Sequence, residues 1–308
     1  MWIVKNRKYF FAFSAILLAL SIFAVVFFGV KLSIDFTGGQ LYEVASKQEL
    51  SKKVLSDATA KLNLSASIRE TEINGFKSAF IVRTETLSDT QKKQLLDLFK
   101  KENLHIERES FVGPTVGSEL KKKAVVAILL TVLAIIIFVA WAFKEVSKPV
   151  SSWKYGAVAI LALLHDVLLP VGAFAVFGKF GAQIDTLFVM ALLAILGYSV
   201  NDTIVIFDRV RERLKRNKEK KIKESFEETV GKALESTLVR SINTSLTTAL
   251  VVLALFVWGA ESTKFFALTL FVGILAGTYS SIFLAAPLLV EIAKWQKDEK
   301  AKAKSENG

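Results

Sequence analysis

YFFAFSAILLALSIFAVVFFGV, Tyr9 to Val30, carries no charged side chain. A helix needs about 20 apolar residues to cross roughly 30 Å of hydrocarbon, so this stretch is predicted to span a membrane. Lys5, Arg7 and Lys8 precede it, as in a secretory signal. Its apolar run exceeds the about 7–15 residues of a signal core, however, and it lacks a small-residue cleavage site. It therefore reads as an uncleaved anchor with a cytoplasmic N-terminus. Further along, Ala124–Phe143 is equally free of charge, and Tyr155–Gly178, Ile184–Phe207, Ser241–Ala260 and Phe265–Val290 complete a set of six spans. The chain of 308 residues is 52% hydrophobic, with a mean hydropathy of +0.43, more than a soluble core requires.

Charge sets the expected sidedness. Residues 209–240 carry eleven basic and six acidic side chains, residues 144–154 carry Lys144, Lys148 and Lys154 against Glu145, and the tail is basic. The opposite loops hold only Lys179 and a neutral turn at Glu261–Lys264. Lys and Arg concentrate on the cytoplasmic side of spanning proteins, so both termini are expected inside. The net charge of +11 is met by an anionic inner leaflet without nucleic acid.

The large hydrated segment, residues 31–123, has 16 basic and 13 acidic residues. Gln40–Ala45 reads as a strand, and Lys47–Leu62 as a helix capped at Ser46 with Leu50, Val54, Ala58 and Leu62 on one face. Strands Ser65–Ile73 and Lys77–Thr84 flank an Asn74-Gly75 turn. A second helix, Ser88–Glu102, is capped at Ser88 and carries Leu95, Leu98 and Phe99, and Leu104–Val112 closes the set. The order βαββαβ is ferredoxin-like, with Gly113-Pro114-Thr115-Val116-Gly117 as the exit turn. The expected organisation is residues 1–30 as N-terminus and first span, 31–123 as an extracytoplasmic domain, 124–290 as five spans with a basic loop at 208–240, and 291–308 as a tail, frayed or disordered from Lys294.

With no cysteine and only His105 and His165, the chain has no thiolate site and no histidine cluster for a metal. No phosphate loop, nucleophile elbow or zinc-protease helix is present either. No cofactor, metal or catalytic constellation is therefore expected, and the chain does not read as an enzyme.

What remains is a set of polar groups inside the spans. A carboxylate at bilayer depth costs about 2.5–3.5 kcal/mol and normally serves a path for ions. Asp202 lies in Gly197-Tyr198-Ser199-Val200-Asn201-Asp202-Thr203, where Asn201 supplies an amide and Gly197 is expected to allow close backbone approach. His165-Asp166 precedes Pro170, expected to kink the third span. Asp166 fits either satisfaction of a neighbouring helix's hydroxyls or freed backbone groups, or a role in a proton path or gate, and with Asp202, Asn201 and Arg240 it makes up the candidate set for proton coupling. Arg240 opens the fifth span, as an interfacial anchor or as a movable partner for Asp202. It is followed by Asn243, Thr244, Ser245, Thr247 and Thr248, expected to line a hydrated face. Asp185 reads as interfacial. Ile222, Phe226, Val230 and Leu234 recur every four residues and predict an amphipathic helix, lying on the cytoplasmic surface or serving there as a docking face for a partner. Gly273 and Gly277 have GxxxG spacing.

Four motifs together resemble the SecF family of protein-export membrane proteins. They are Ser33-Ile34-Asp35-Phe36-Thr37-Gly38-Gly39, Leu163-Leu164-His165-Asp166-Val167, Gly197–Thr203 with Asp208-Arg209-Val210-Arg211-Glu212, and Arg240-Ser241-Ile242-Asn243-Thr244-Ser245-Leu246-Thr247-Thr248. The resemblance implies half of an RND-type helical bundle carrying one α+β domain in the bacterial inner membrane. It implies pairing with SecD and work with SecYEG and SecA on unfolded preproteins, with YajC and YidC as further candidate partners. It implies use of the proton motive force after SecA-driven insertion. Asp202 and Arg240 match the coupling pair, Asp35, Phe36, Thr37, Gly38 and Gly39 the motif after the first span, and Asp166 a polar position of the third. Two other function classes remain beside it: half of a small-molecule exporter, and a membrane scaffold whose polar residues only pack.

Overall fold

The computed structural model describes residues 1–64, 66–143 and 150–306. Ser65, Lys144, Glu145, Lys148 and the final two residues of the tail lie outside the described residues.

Six helical segments are long and apolar enough to cross a membrane. A short helix α1 (Trp2–Lys5) leads into α2 (Arg7–Phe28), and α3 (Ile34–Thr37) follows as a single turn. The sheet segment then runs β1 (Gly39–Ser46), α4 (Lys52–Lys61), β2 (Ala66–Thr71), β3 (Ser78–Thr84), α5 (Asp89–Lys101) and β4 (His105–Val112). The remaining spans are α6 (Pro114–Ala142), α7 (Ser152–Phe177), α8 (Thr186–Glu219), α9 (Phe226–Trp258) and α10 (Lys264–Tyr279). The last span continues through a π-helical stretch, Ser280–Ala285, into α11 (Ala286–Glu306).

The strands form one antiparallel sheet in the order β2-β3-β1-β4, the ferredoxin-like arrangement. Alternation puts Tyr42, Val44, Phe80 and Val82 on one face, where Leu55 of α4 and Leu95 and Phe99 of α5 cover them. The opposite face carries Leu41, Glu43, Arg69, Ile81 and Arg83 and stands over the ends of the spans.

Several local expectations need correction. Ser46 is not a helix cap: it ends β1 opposite Ser78, and its hydroxyl accepts the Gln48 N–H. Ser51 caps α4 instead, through the Lys53 N–H, and the buried side of α4 is Leu55 and Thr59, with Val54 exposed. The exit turn is shorter than expected, because Pro114 occupies the first helical position, where its missing N–H costs nothing. Asn74-Gly75 does make the turn between β2 and β3: the Ile73 carbonyl accepts from the Phe76 N–H, and only Gly75 has a positive φ, +90°.

The largest correction concerns the predicted surface helix. α9 is continuous from Phe226 to Trp258, and α8 runs straight through Asp208–Arg213 to Glu219. The Val230 and Leu234 stripe does not meet lipid. It packs in a buried cluster with Ile3 and Val4 of α1, Ile206 and Val210 of α8, and Val290 of α11. Likewise α11 continues as helix to Glu306, where a frayed tail was expected.

Within the bundle α7, α8 and the α10–α11 span form the interior. The last span is 56% buried over its apolar window, whereas α6 is only 6% buried. Small residues bring the inner helices close: a Cβ on Gly277 would lie 2.9 Å from Ser199 Cβ, and one on Gly172 would lie 2.5 Å from Ser21 Cβ. Gly197, by contrast, has nothing within 4 Å of such a Cβ among the described residues, and none of their helices approaches there.

Candidate functional site

Two carboxylates sit inside the bundle in different surroundings. Asp166, on α7, is fully buried. Its Oδ1 lies 3.0 Å from His165 Nδ1. Its Oδ2 accepts the Ser280 hydroxyl at 2.8 Å and also that of Ser199. α7 runs as one helix through Pro170, whose ring has no N–H to offer the Asp166 carbonyl one turn back. The carboxylate thus ties α7 to α8 and to the π-helical stretch, and an extra residue there is what turns Ser280 inward. Ser281 extends the seam, meeting the Thr203 hydroxyl at 2.8 Å. His165 stacks on Tyr279 with ring centroids 6.0 Å apart, and Tyr279 donates to the Phe10 carbonyl of α2.

Asp202 lies one helical face away on α8, half-buried. Its Oδ1 accepts the Ser241 hydroxyl of α9 at 2.6 Å. Its Oδ2 is buried and has no partner among the described residues. Arg240 does not fill that place: among the described residues no ion pair joins it to Asp202, and its side chain is exposed. One residue on an α-helix is a turn of about 100°, so Ser241 and Arg240 cannot both face α8.

The remaining polar positions of α9 divide between two sides. Ser241 and Ser245 are buried against α8, where Tyr198 donates to Ser245 at 3.3 Å. Asn243, Thr244 and Thr247 are exposed, as is Asn201 on α8, and Thr248 is half-buried. The hydroxyls of Thr247 and Thr248 bond back to the Thr244 carbonyl at 2.9 Å, so they satisfy themselves within the helix. This side of α9 is polar, and among the described residues nothing covers it.

The motif after the first span forms a joint at the mouth of the bundle. Ser33 caps α3, Phe36 is buried, and the Thr37 hydroxyl donates to the Ser33 carbonyl at 3.1 Å. Asp35 Oδ2 accepts from both the backbone N–H and the hydroxyl of Thr186, at 3.0 and 2.8 Å. The first turn of α8 therefore meets two carboxylates, because Asp185 caps it through the Phe188 N–H at 2.7 Å, a favourable pairing with the helix dipole. Asp185 is thus a capping residue. Gly38 and Gly39 have φ of +75° and +141°. A Cβ on Gly39 would fall 2.3 Å from the Thr84 carbonyl oxygen, and one on Gly117 of α6 would fall 2.8 Å from the Gly38 nitrogen. Both glycines of the motif, and Gly117 facing it, are required by backbone contact.

The sequence left several residues of this site unassigned. Ser241, Ser280, Thr186 and Tyr279 are ordinary residue types in helices, and only the packing reveals what they touch.

Comparisons with known proteins identify the family. The family described as "Protein export membrane protein SecD/SecF, C-terminal" matches residues 91–295, and the "SecD/SecF GG Motif" matches residues 23–49. A protein translocase subunit SecF of Thermobaculum terrenum is 39% identical over 94% of this chain and 92% of its own. Its counterpart from Sebaldella termitidis is 36% identical over 97% of this chain and 94% of its own. Among solved structures, SecDF of Thermus thermophilus, described as a translocon-associated membrane protein, superposes with a TM-score of 0.81 at 32% identity. That match covers 96% of this chain but only 38% of the SecDF chain. The chain belongs to the SecD/SecF family of protein-export membrane proteins, on its SecF side.

Proposed function

We propose that this chain works in Sec-dependent protein translocation at the bacterial inner membrane as one half of a pair with SecD, and that Asp202 couples that work to the proton motive force. The observation that carries the coupling is the half-satisfied carboxylate: Ser241 holds Oδ1 while Oδ2 is buried without a partner. An unpaired oxygen in a low-dielectric seam can be completed in two ways. It can take a proton, or it can draw in Arg240, which adjoins Ser241 on the same helix. The second requires α9 to turn against α8, so protonation and helix rotation become alternatives. One proton crossing 100 mV releases about 2.3 kcal/mol, enough to bias such a two-state element but not to unfold a stable substrate. The exposed Asn201, Asn243, Thr244 and Thr247 then belong at the contact with the partner half.

In this reading the termini face the cytoplasm, the sheet domain stands outside against an emerging preprotein, and SecYEG and SecA supply the channel and the first push, with YajC and YidC as accessory contacts. Co-reconstitution of the chain with SecD in vesicles tests it. Asp202→Asn is expected to abolish gradient-dependent stimulation of export and the accompanying proton flux, while Ser241→Ala weakens both only in part. Full stimulation and flux in Asp202→Asn would sink the assignment.

A further inference from the structure

A second site lies at the other end of the bundle, where the open face of the sheet meets the ends of the spans. Lys31, three residues beyond the end of α2, Lys179, two beyond α7, Lys52 at the start of α4, and Arg69 and Arg83 from β2 and β3 surround a pocket of about 370 Å³. Among the described residues no acidic side chain lines it. Asp35, Glu43 and Asp185, whose charges act on Arg83, line a separate cleft that Arg69 and Arg83 border as well. Arg69 lies over the Phe265 ring at 4.5 Å and Arg83 feels the charge of Asp185, so the three lysines carry the pocket's own charge, and they repel one another unless an anion enters.

Three details make the pocket a built one. Gly181 has φ +90°, and a Cβ there would sit 3.2 Å from Arg69 Cδ, so the glycine leaves room for that side chain to lie across the turn. Arg83 donates to Gln183 at 2.7 Å, while its Nε is buried with no partner among the described residues. Phe180, 71% exposed, stands at the rim, and Lys179 lies over the Phe28 ring at 4.4 Å. An aromatic and lysines at the ends of spans mark the headgroup level of a bilayer.

We infer that this pocket binds a phosphodiester anion, and that the anion is the headgroup of an acidic phospholipid lying between α2 and the α7–α8 turn beneath the sheet. A lipid seated there would join the sheet domain to the membrane surface, its phosphate among the cations and its chains along the exposed side of α2.

Native mass spectrometry of the full chain, exchanged into phosphatidylglycerol or phosphatidylcholine, tests the inference. Each cation near a charged surface is worth about fivefold in affinity, so Lys31→Gln/Lys52→Gln should weaken retention of phosphatidylglycerol about 25-fold. Both side chains are exposed and unpaired among the described residues, so the melting temperature should not move. Lys215→Gln/Lys218→Gln, two cations at the opposite end, should leave retention unchanged. Equal retention of the two lipids would overturn the inference, and so would unchanged binding in Lys31→Gln/Lys52→Gln. Displacement of the lipid by millimolar inorganic phosphate would also overturn it, because the site would then serve a free anion.

Discussion

Asp166 and Asp202 are two carboxylates in one bundle with opposite circumstances. Asp166 is surrounded by donors, whereas Asp202 is left one short. Their substitutions should therefore separate. Asp166→Leu leaves the buried Ser199 hydroxyl without an acceptor and Ser280 with only the Gly277 carbonyl, a loss of about 1–3 kcal/mol, and should lower the melting temperature in detergent by several degrees. Asp202→Asn still offers an amide oxygen to Ser241 and should melt with the wild type. Equal losses in the two would contradict the distinction. The sequence alone places both acids in spans but cannot tell them apart. Asp166 is satisfied by serines 33 and 114 positions away in the chain, and no local pattern records such a pairing. Similarly, Arg240 and Ser241 are adjacent letters, and only the rotation of α9 decides which one meets Asp202.

Elements were read well where a single stretch carried its own signal. Length and hydropathy were enough for the six spans, and the Ser88 cap with Gln91 reciprocating is a local signature of α5. The start of α9 was not legible in that way. An apolar stripe facing lipid and one facing a neighbouring helix have the same period, and Val230 and Leu234 turn out to face α1, α8 and α11. The corner between α8 and α9 is fixed by Glu224. Burial works against ionisation of its carboxyl, but hydrogen bonds from Lys232, Asn217 and Thr229 and the charge of Arg213 outweigh it and hold the pKa at about 2. A carboxylate lowered in the folded state stabilises fully above its unfolded value, about 4.3, and loses that contribution as pH falls toward 2. Glu224→Gln should therefore melt below the wild type at pH 7, the gap closing between about pH 4.3 and pH 2. A gap that persists at pH 2 would show that Glu224 acts by shape rather than by charge.

At the scale of the molecule, the sheet domain is held to the bundle by backbone rather than by a flexible tether. Leu32 bridges Ile184, Asp35 holds the first turn of α8, and Gly38 lies against Pro114 and Gly117 of α6. A methyl at Gly117 would press on the Gly38 nitrogen at 2.8 Å and the Phe36 carbonyl carbon at 3.2 Å, backbone atoms with little room to yield. Gly117→Ala should cost about 1–3 kcal/mol and expose residues 31–39 to limited proteolysis. Gly197→Ala, with nothing within 4 Å, should leave both readouts unchanged. The sequence marks these glycines without saying which are needed, because the atoms that forbid a Cβ come from distant parts of the chain.

Arg240, Asn243, Thr244 and Thr247 leave one flank of α9 polar, and Asn201 of α8 is exposed as well. Hydrocarbon solvates neither a guanidinium nor an amide, so this flank is sound only when another helix covers it. A copy made without that cover is an orphan, liable to wrong assembly and to the proteases that patrol the bilayer. Matched synthesis of that cover is then expected to raise the level of this protein in a cell, a difference that immunoblotting with and without the partner half would measure.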